Sequence, residues 1–183
     1  FFSYYKPYKR LFMADMACAI VASAAILAIP LCVRYITSHL LDRSPEEAFQ
    51  QIYIMGFFML ILIAVYIACH SFIDYKGHIM GALMERDMRN ELFAHYQKLS
   101  FKFYDEHKVG QLMTRISNDT FDLAELYHHG PEDIVISILN FLGAFIILII
   151  INVKLAFIAL LFMPLMAIYG FFFSKKMYKA LRK

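Results

Sequence analysis

The sequence predicts an all-α membrane protein: four transmembrane helices with long cytoplasmic helical extensions. Three observations predict it. Of the 183 residues, 61% are hydrophobic, against roughly 45–50% in a water-soluble domain. Four apolar windows are each long enough to cross a hydrocarbon core, which takes about 20 residues. The polar stretch between the second and third windows keeps a helical apolar periodicity and does not read as loop.

The elements follow in chain order. Residues 1–10, "FFSYYKPYKR", are aromatic and basic and suit an interfacial elbow. The first window is 11–33, "LFMADMACAIVASAAILAIPLCV", in a first spanning segment at 11–36. The second is 48–73, the start of a segment at 48–99 that continues into an arm. The third, 134–151, ends a segment at 110–151 made of a second arm and a span. The fourth is 155–173, in a last segment at 155–183. Backbone groups in lipid must bond internally, so all four are helices. The connections at 34–47, with "DRSPEE" as its turn, and at 152–154, "NVK", are short. Pro30 and Pro164 lie within apolar helices and predict kinks.

Lysine and arginine set the orientation. Lys6, Lys9 and Arg10 precede the first span, and Lys76, Arg86, Arg89, Lys98, Lys102, Lys108 and Arg115 lie between the second and third. Lys175, Lys176, Lys179, Arg182 and Lys183 follow the fourth, while only Arg34, Arg43 and Lys154 fall on the other side. Both termini and the middle segment are therefore expected in the cytoplasm, in a multi-pass protein of the cell (plasma or inner) membrane.

In the middle segment Met80, Met84, Met88, Leu92, Tyr96 and Leu99 recur every three or four positions. Val109, Leu112, Met113, Ile116, Leu123 and Tyr127 do the same further on. Both sets predict uninterrupted amphipathic helices, at about 74–99 and 110–129, with pairs such as Glu85–Arg89 on the outer face. Counted up to the third window at 134, the arms have about 26 and 24 residues and reach roughly 39 and 36 Å, so they meet at a common tip. That tip is 100–110, "SFKFYDEHKVG", where Gly110 permits a sharp turn. Gly130-Pro131 predicts a kink where the second arm enters the bilayer.

Several chemistries are excluded. A net charge of +3 is too small to argue for nucleic acid. Lys108 beside a lone Gly110, with helical flanks, is no phosphate loop. Neither GxSxG nor HExxH occurs, and no catalytic residue is assigned. Asp119 and Asp122 read as a solvated charged face, with Arg115 as a partner for Asp119. No metal site is assigned either. His70 and His78 are about 12 Å apart along a helix, and the adjacent His128 and His129 point in different directions. Cys18, Cys32 and Cys69 read as small buried hydrophobes. Asp15 is the one carboxylate in an apolar window. Five residues past the elbow, it reads as reaching the interface or pairing with Lys9 or Arg10; a more central place points to a substrate or proton role. The first apolar run is too long for a cleavable signal peptide. A chain opening at Phe1 and closing on "YKALRK" reads as part of a longer protein.

The stretch "LFAHYQKLSFKFYDEHKVGQLMTRISNDTFDLAEL" resembles the first intracellular loop of ABC exporters. Phe103, Tyr104, Gly110, Arg115, Asn118 and Asp119 match the family pattern in order and spacing, and "HHGPED" resembles a bacterial branch of it. The resemblance covers the whole chain. It implies the N-terminal part of the exporter (type-1) transmembrane domain, without the fifth and sixth helices, the second intracellular loop or any nucleotide motif. It further implies that 103–110 is a coupling helix that docks on an ATP-binding domain. Phe103 and Tyr104 would be its anchors, with Asp105, Glu106, His107 and Lys108 at the rim, followed by Val109, Gly110 and Gln111. The expected activity is outward movement of an amphipathic solute or lipid by alternating access. The expected partners are the lipid bilayer, the ATP-binding domain and a second half-transporter, identical or different. ATP and Mg would sit on the ATP-binding domain, and this chain would hold no cofactor. An alternative is a membrane receptor or scaffold whose cytoplasmic hairpin docks a signalling partner. A membrane-embedded enzyme is weakened by the lack of clustered intramembrane carboxylates or histidines.

Overall fold

In the computed structural model, which describes residues 2–40 and 45–181, secondary structure is helical throughout. After a 3-10 turn at Phe2–Tyr5 come α1 (Lys9–His39), α2 (Pro45–Tyr96), α3 (Phe101–Glu106) and α4 (Val109–Thr114). A π turn at Arg115–Asp119 leads into α5 (Thr120–Ile151), and α6 is Val153–Leu181. Four of these helical stretches are long and apolar enough to cross a membrane. Part of the "DRSPEE" turn, with Arg43, lies outside the described residues, as do Arg182 and Lys183. The chain divides into two units, Phe1–Asn140 and Phe141–Lys183.

The first unit is organised by the arms. α2 has 52 residues, which at 1.5 Å per residue is roughly 78 Å, far more than a hydrocarbon core of about 30 Å requires. Met80, Met84 and Met88 bury one face of α2 against Tyr5, Ala124 and Tyr127. The Glu85–Arg89 ion pair lies on the arm as its spacing predicts. The opening aromatics close over this core: Tyr4, Tyr8, Leu11 and Phe12 pack against it. Tyr8 donates to Asp87 Oδ2 at 2.6 Å and Tyr4 to Glu91 Oε2 at 2.5 Å.

The second arm departs from the expected uninterrupted α-helix. The π turn at Arg115–Asp119 interrupts it, and a π turn takes up about one extra residue. The buried positions are Leu112, Ile116, Thr120, Ala124 and Tyr127. Spacing by four keeps one face only in a helix that has gained that residue. Val109, Met113 and Leu123, chosen on regular α-helical spacing, are exposed. Among the described residues no ion pair joins Arg115 to Asp119, contrary to the pairing their spacing suggested.

Gly130-Pro131 does not end the helix: α5 runs through both residues. Proline has no N–H, so the Tyr127 carbonyl loses its helical donor. The Tyr5 hydroxyl donates to that carbonyl at 2.6 Å. Its ring stands 5.6 Å from the Tyr127 ring and 4.8 Å from that of Phe12, both edge-on.

In the second unit Asn152 caps α6. Its Oδ1 accepts from the N–H of Lys154 at 3.0 Å and of Leu155 at 3.3 Å, which satisfies orphan donors of the first turn. Beside it, a gap of about 210 Å³ lies between Phe141, Phe145 and Leu148 on one helix and Leu160 and Met163 on the other. The remaining surface of α6 exposes large apolar side chains on all sides, including Leu161, Phe171 and Phe172, as expected of a helix that crosses a membrane.

The elbow predicts a pH response. The hydrogen bond to Glu91 pushes Tyr4 from 10.0 to about 12, and burial pushes Tyr5 to the same region. Raised values favour the protonated phenols. Their contribution to docking is therefore complete below pH 10 and lost as pH rises through about 12. Tyrosinate absorbance should titrate late for these two side chains. Tyr5→Phe should open the helix around Tyr127 by about 1–3 kcal/mol, the cost of a buried acceptor without its donor. Amide exchange over 124–131 measures it, and unchanged protection would contradict the role given to Tyr5.

Candidate functional site: the tip between the two arms

α2 ends in a turn at Tyr96, where the Lys98 and Leu99 amides donate to His95 and Tyr96 carbonyls at 3.1 and 3.0 Å. Ser100 is extended, and its carbonyl accepts from Phe103 N at 3.0 Å, starting the six-residue α3. His107 and Lys108 are both extended, with φ of −125° and −73°. They make the turn into α4. The sequence assigned this turn to Gly110, but Gly110 lies inside α4, no glycine among the described residues has positive φ, and an added Cβ there would meet nothing. Two extended residues reverse the chain without the left-handed conformation that calls for glycine.

The aromatics of α3 divide their roles. Tyr104 points inward, and its hydroxyl donates to the Tyr96 carbonyl at 2.6 Å, tying α3 to the end of α2. Phe103 stacks on His107 with ring centroids 4.1 Å apart and meets Tyr104 edge-on at 5.6 Å. His107 Nδ1–H donates to the Phe103 carbonyl at 2.9 Å. Both Phe103 and Tyr104 are half-buried. The outward aromatic is Phe101, 90% exposed. Sequence reading passed it over; its place at the first position of α3, two residues before the Phe-Tyr pair, was the available signal. Asp105, Glu106, His107, Lys108, Val109, Gly110 and Gln111 are exposed. Lys102 and Glu106 stand 4.0 Å apart across one turn. The tip thus offers one protruding phenyl ring within a ring of mixed charge, and no constellation of catalytic groups.

A second polar constellation lies elsewhere in the same unit. Asp15 reaches neither the surface nor Lys9 or Arg10: it is 1% exposed, and neither oxygen has a hydrogen-bond partner. It stands with His128 and Glu132 of α5. The histidine pair does not diverge as expected. The rings of His128 and His129 are 4.3 Å apart, and His78 of α2 meets them at 4.9 and 5.4 Å. Distance along the sequence hides this grouping, because it needs three helices to be brought together.

A family model described as the ABC transporter transmembrane region matches residues 12–183. The chain belongs to this family. An ABC transporter ATP-binding protein of Bacillus subtilis, YwjA, is 42% identical over 180 residues, which cover 98% of this chain and 31% of that protein. A second Bacillus subtilis protein, YgaD, named for multidrug export as an ATP-binding/permease protein, is 24% identical over 186 residues, 100% of this chain and 32% of its own. A multidrug export ATP-binding/permease protein of Staphylococcus aureus is 26% identical over 179 residues, 94% of this chain and 31% of its own. The chain spans about a third of the length of these curated relatives. Membership in the ABC transporter family and the four apolar helices make this a multi-pass membrane protein.

Two substitutions separate folding from display at the tip. Gly110→Ala meets open space on a helical backbone and should stabilise α4 by about 0.5–1 kcal/mol. Tyr104→Phe should cost about 0.5–1.5 kcal/mol. Amide exchange at 96–104 and 109–114 reads both; destabilisation by Gly110→Ala would show that the α4 geometry is wrong.

Proposed function

We propose that this chain is the N-terminal part of the transmembrane domain of an ABC exporter. It moves an amphipathic solute or lipid outward by alternating access, driven by ATP hydrolysis on a nucleotide-binding domain outside this chain. Both termini and the tip face the cytoplasm, and a second half-transporter, identical or different, completes the translocation path. The observation that carries this reading is the tip. A short helix with an exposed Phe101 and a charged rim is held at the meeting point of two long helices. Such helices pass a displacement at the tip to the membrane as a rigid-body movement. The names of the relatives, which join ATP-binding and permease or export functions, support it. Phe101 and Phe103 supply apolar contact at the centre of the docking face, with Asp105, Glu106, His107 and Lys108 setting register around them.

The test uses the full-length protein in proteoliposomes. Phe101→Ala/Phe103→Ala should lower transport and substrate-stimulated ATPase at least about tenfold, the scale of losing interface hot spots, and leave ATP binding intact. Normal transport and stimulation would show that the tip is not the coupling element.

Orientation is tested separately with single cysteines at Glu106 and Lys154. An impermeant thiol reagent applied outside should label position 154 and spare 106, as the lysine and arginine distribution requires. The reverse pattern would overturn the topology.

A further inference from the structure

Asp15, His128 and Glu132 bury three metal-ligating side chains together. Their exposures are 1%, 2% and 6%. One ligand atom from each lies within 4.8 Å of the others. Both Asp15 oxygens, both His128 ring nitrogens and Glu132 Oε2 lack hydrogen-bond partners. His128 Nδ1 stands 3.7 Å from Glu132 Oε2, one helical turn on. Among the described residues no lysine or arginine pairs with either carboxylate. Two buried carboxylates without a counter-charge are strongly unfavourable.

The helices hold the imidazole in place. A Cβ at Gly77 would come within 1.9 Å of His128 Cε1. The bare backbone of α2 at that point is therefore what makes room for the ring. A second group adjoins the first through His128: ligand atoms of His78, His128 and His129 also lie within 4.8 Å of one another. His78 Nδ1–H donates to the Asp74 carbonyl at 2.6 Å. That bond fixes the tautomer and leaves Nε2 with its lone pair, the arrangement seen behind metal-bound histidines.

We propose that Asp15, His128 and Glu132 bind a first-row divalent cation of the zinc type, which ties α1 to α5, with His78 and His129 as adjoining donors. The chemistry fits. One imidazole nitrogen and two carboxylate oxygens are a three-ligand set that zinc accepts, with a fourth position left open. In a tetrahedral site with bonds of about 2.0–2.2 Å the ligand atoms stand roughly 3.3–3.6 Å apart. Closure from a spacing of at most 4.8 Å is thus no more than about 1.5 Å, within reach of side-chain rotation. A dication cancels both carboxylate charges at once. The inference does not rest on the transport reading.

The experiment takes the full-length protein in lipid nanodiscs, stripped with chelator and titrated with Co²⁺ as an optical probe, followed by competition with Zn²⁺. One Co²⁺ per chain should bind with the absorption of a nitrogen- and oxygen-ligated, low-coordinate ion, and Zn²⁺ should displace it. Asp15→Asn and Glu132→Gln keep the side-chain shapes and should weaken binding at least about tenfold, the scale at which even outer-shell partners act. His39→Ala, at the far end of α1, should change nothing. Affinity unmoved by Asp15→Asn and Glu132→Gln would overturn the proposal. If either variant fails to give a monodisperse protein, X-ray absorption of the wild type loaded with one equivalent decides. An imidazole with oxygen ligands supports the site, and a shell without imidazole overturns it. Absence of metal binding, with an infrared band of protonated carboxyl, would show that the carboxylates hold protons instead.

Discussion

Pro131 brings no N–H to the helix that carries it, so the Tyr127 carbonyl needs a donor from another part of the chain. That donor is the Tyr5 hydroxyl, delivered from 122 residues away. Much of the first unit follows from this bond. To reach Tyr127, the opening segment has to lie on α5, and once there its aromatic rings cover the methionine face of α2. The elbow, the first arm and the second arm therefore share one core: Tyr5, Met80, Met84, Met88, Ala124 and Tyr127. Tyr8 and Tyr4 then anchor the same segment to Asp87 and Glu91 along α2. A proline inside a long helix usually marks a weak point. Here it serves as an attachment point for the N-terminal segment.

The parts of this architecture that repeat along one helix were legible in the sequence. The four apolar windows and the Met80, Met84, Met88 stripe depend only on spacing within a single element, and spacing is what a sequence displays. The π turn was not legible, because its signal is a run of buried positions spaced by four through Leu112, Ile116, Thr120 and Ala124, and two of those are not large hydrophobes. Met113 and Leu123 drew attention as apolar residues but lie off the buried face. Asp15 was misjudged for a similar reason. Five residues from a basic elbow, it has cations close in sequence, but its neighbours are decided by α5. Gly77 beside His78 and "HHGPED" further on were the visible clues, and only the packing of α2 on α5 makes them one feature.

The tip shows how a short polar segment keeps its form without a core of its own. α3 has six residues and none is buried, far below the length at which a helix persists alone. Its order comes from a few directed contacts: the Tyr104 hydroxyl on the end of α2, the His107 ring on Phe103, and the extended pair that starts α4. The Tyr104 contact faces inward, and Phe101 and the charged side chains stay exposed.

The seat of His128 has a further consequence. Gly81 follows Gly77 by one turn, and a Cβ there would lie 3.5 Å from His128 Cβ. The two glycines make a strip of naked backbone about 6 Å long, parallel to the α2 axis. Across the strip, the neighbouring positions of α2 all carry side chains. The pair of helices is thus keyed like a pin in a slot. A single methyl group added at 77 would jam it.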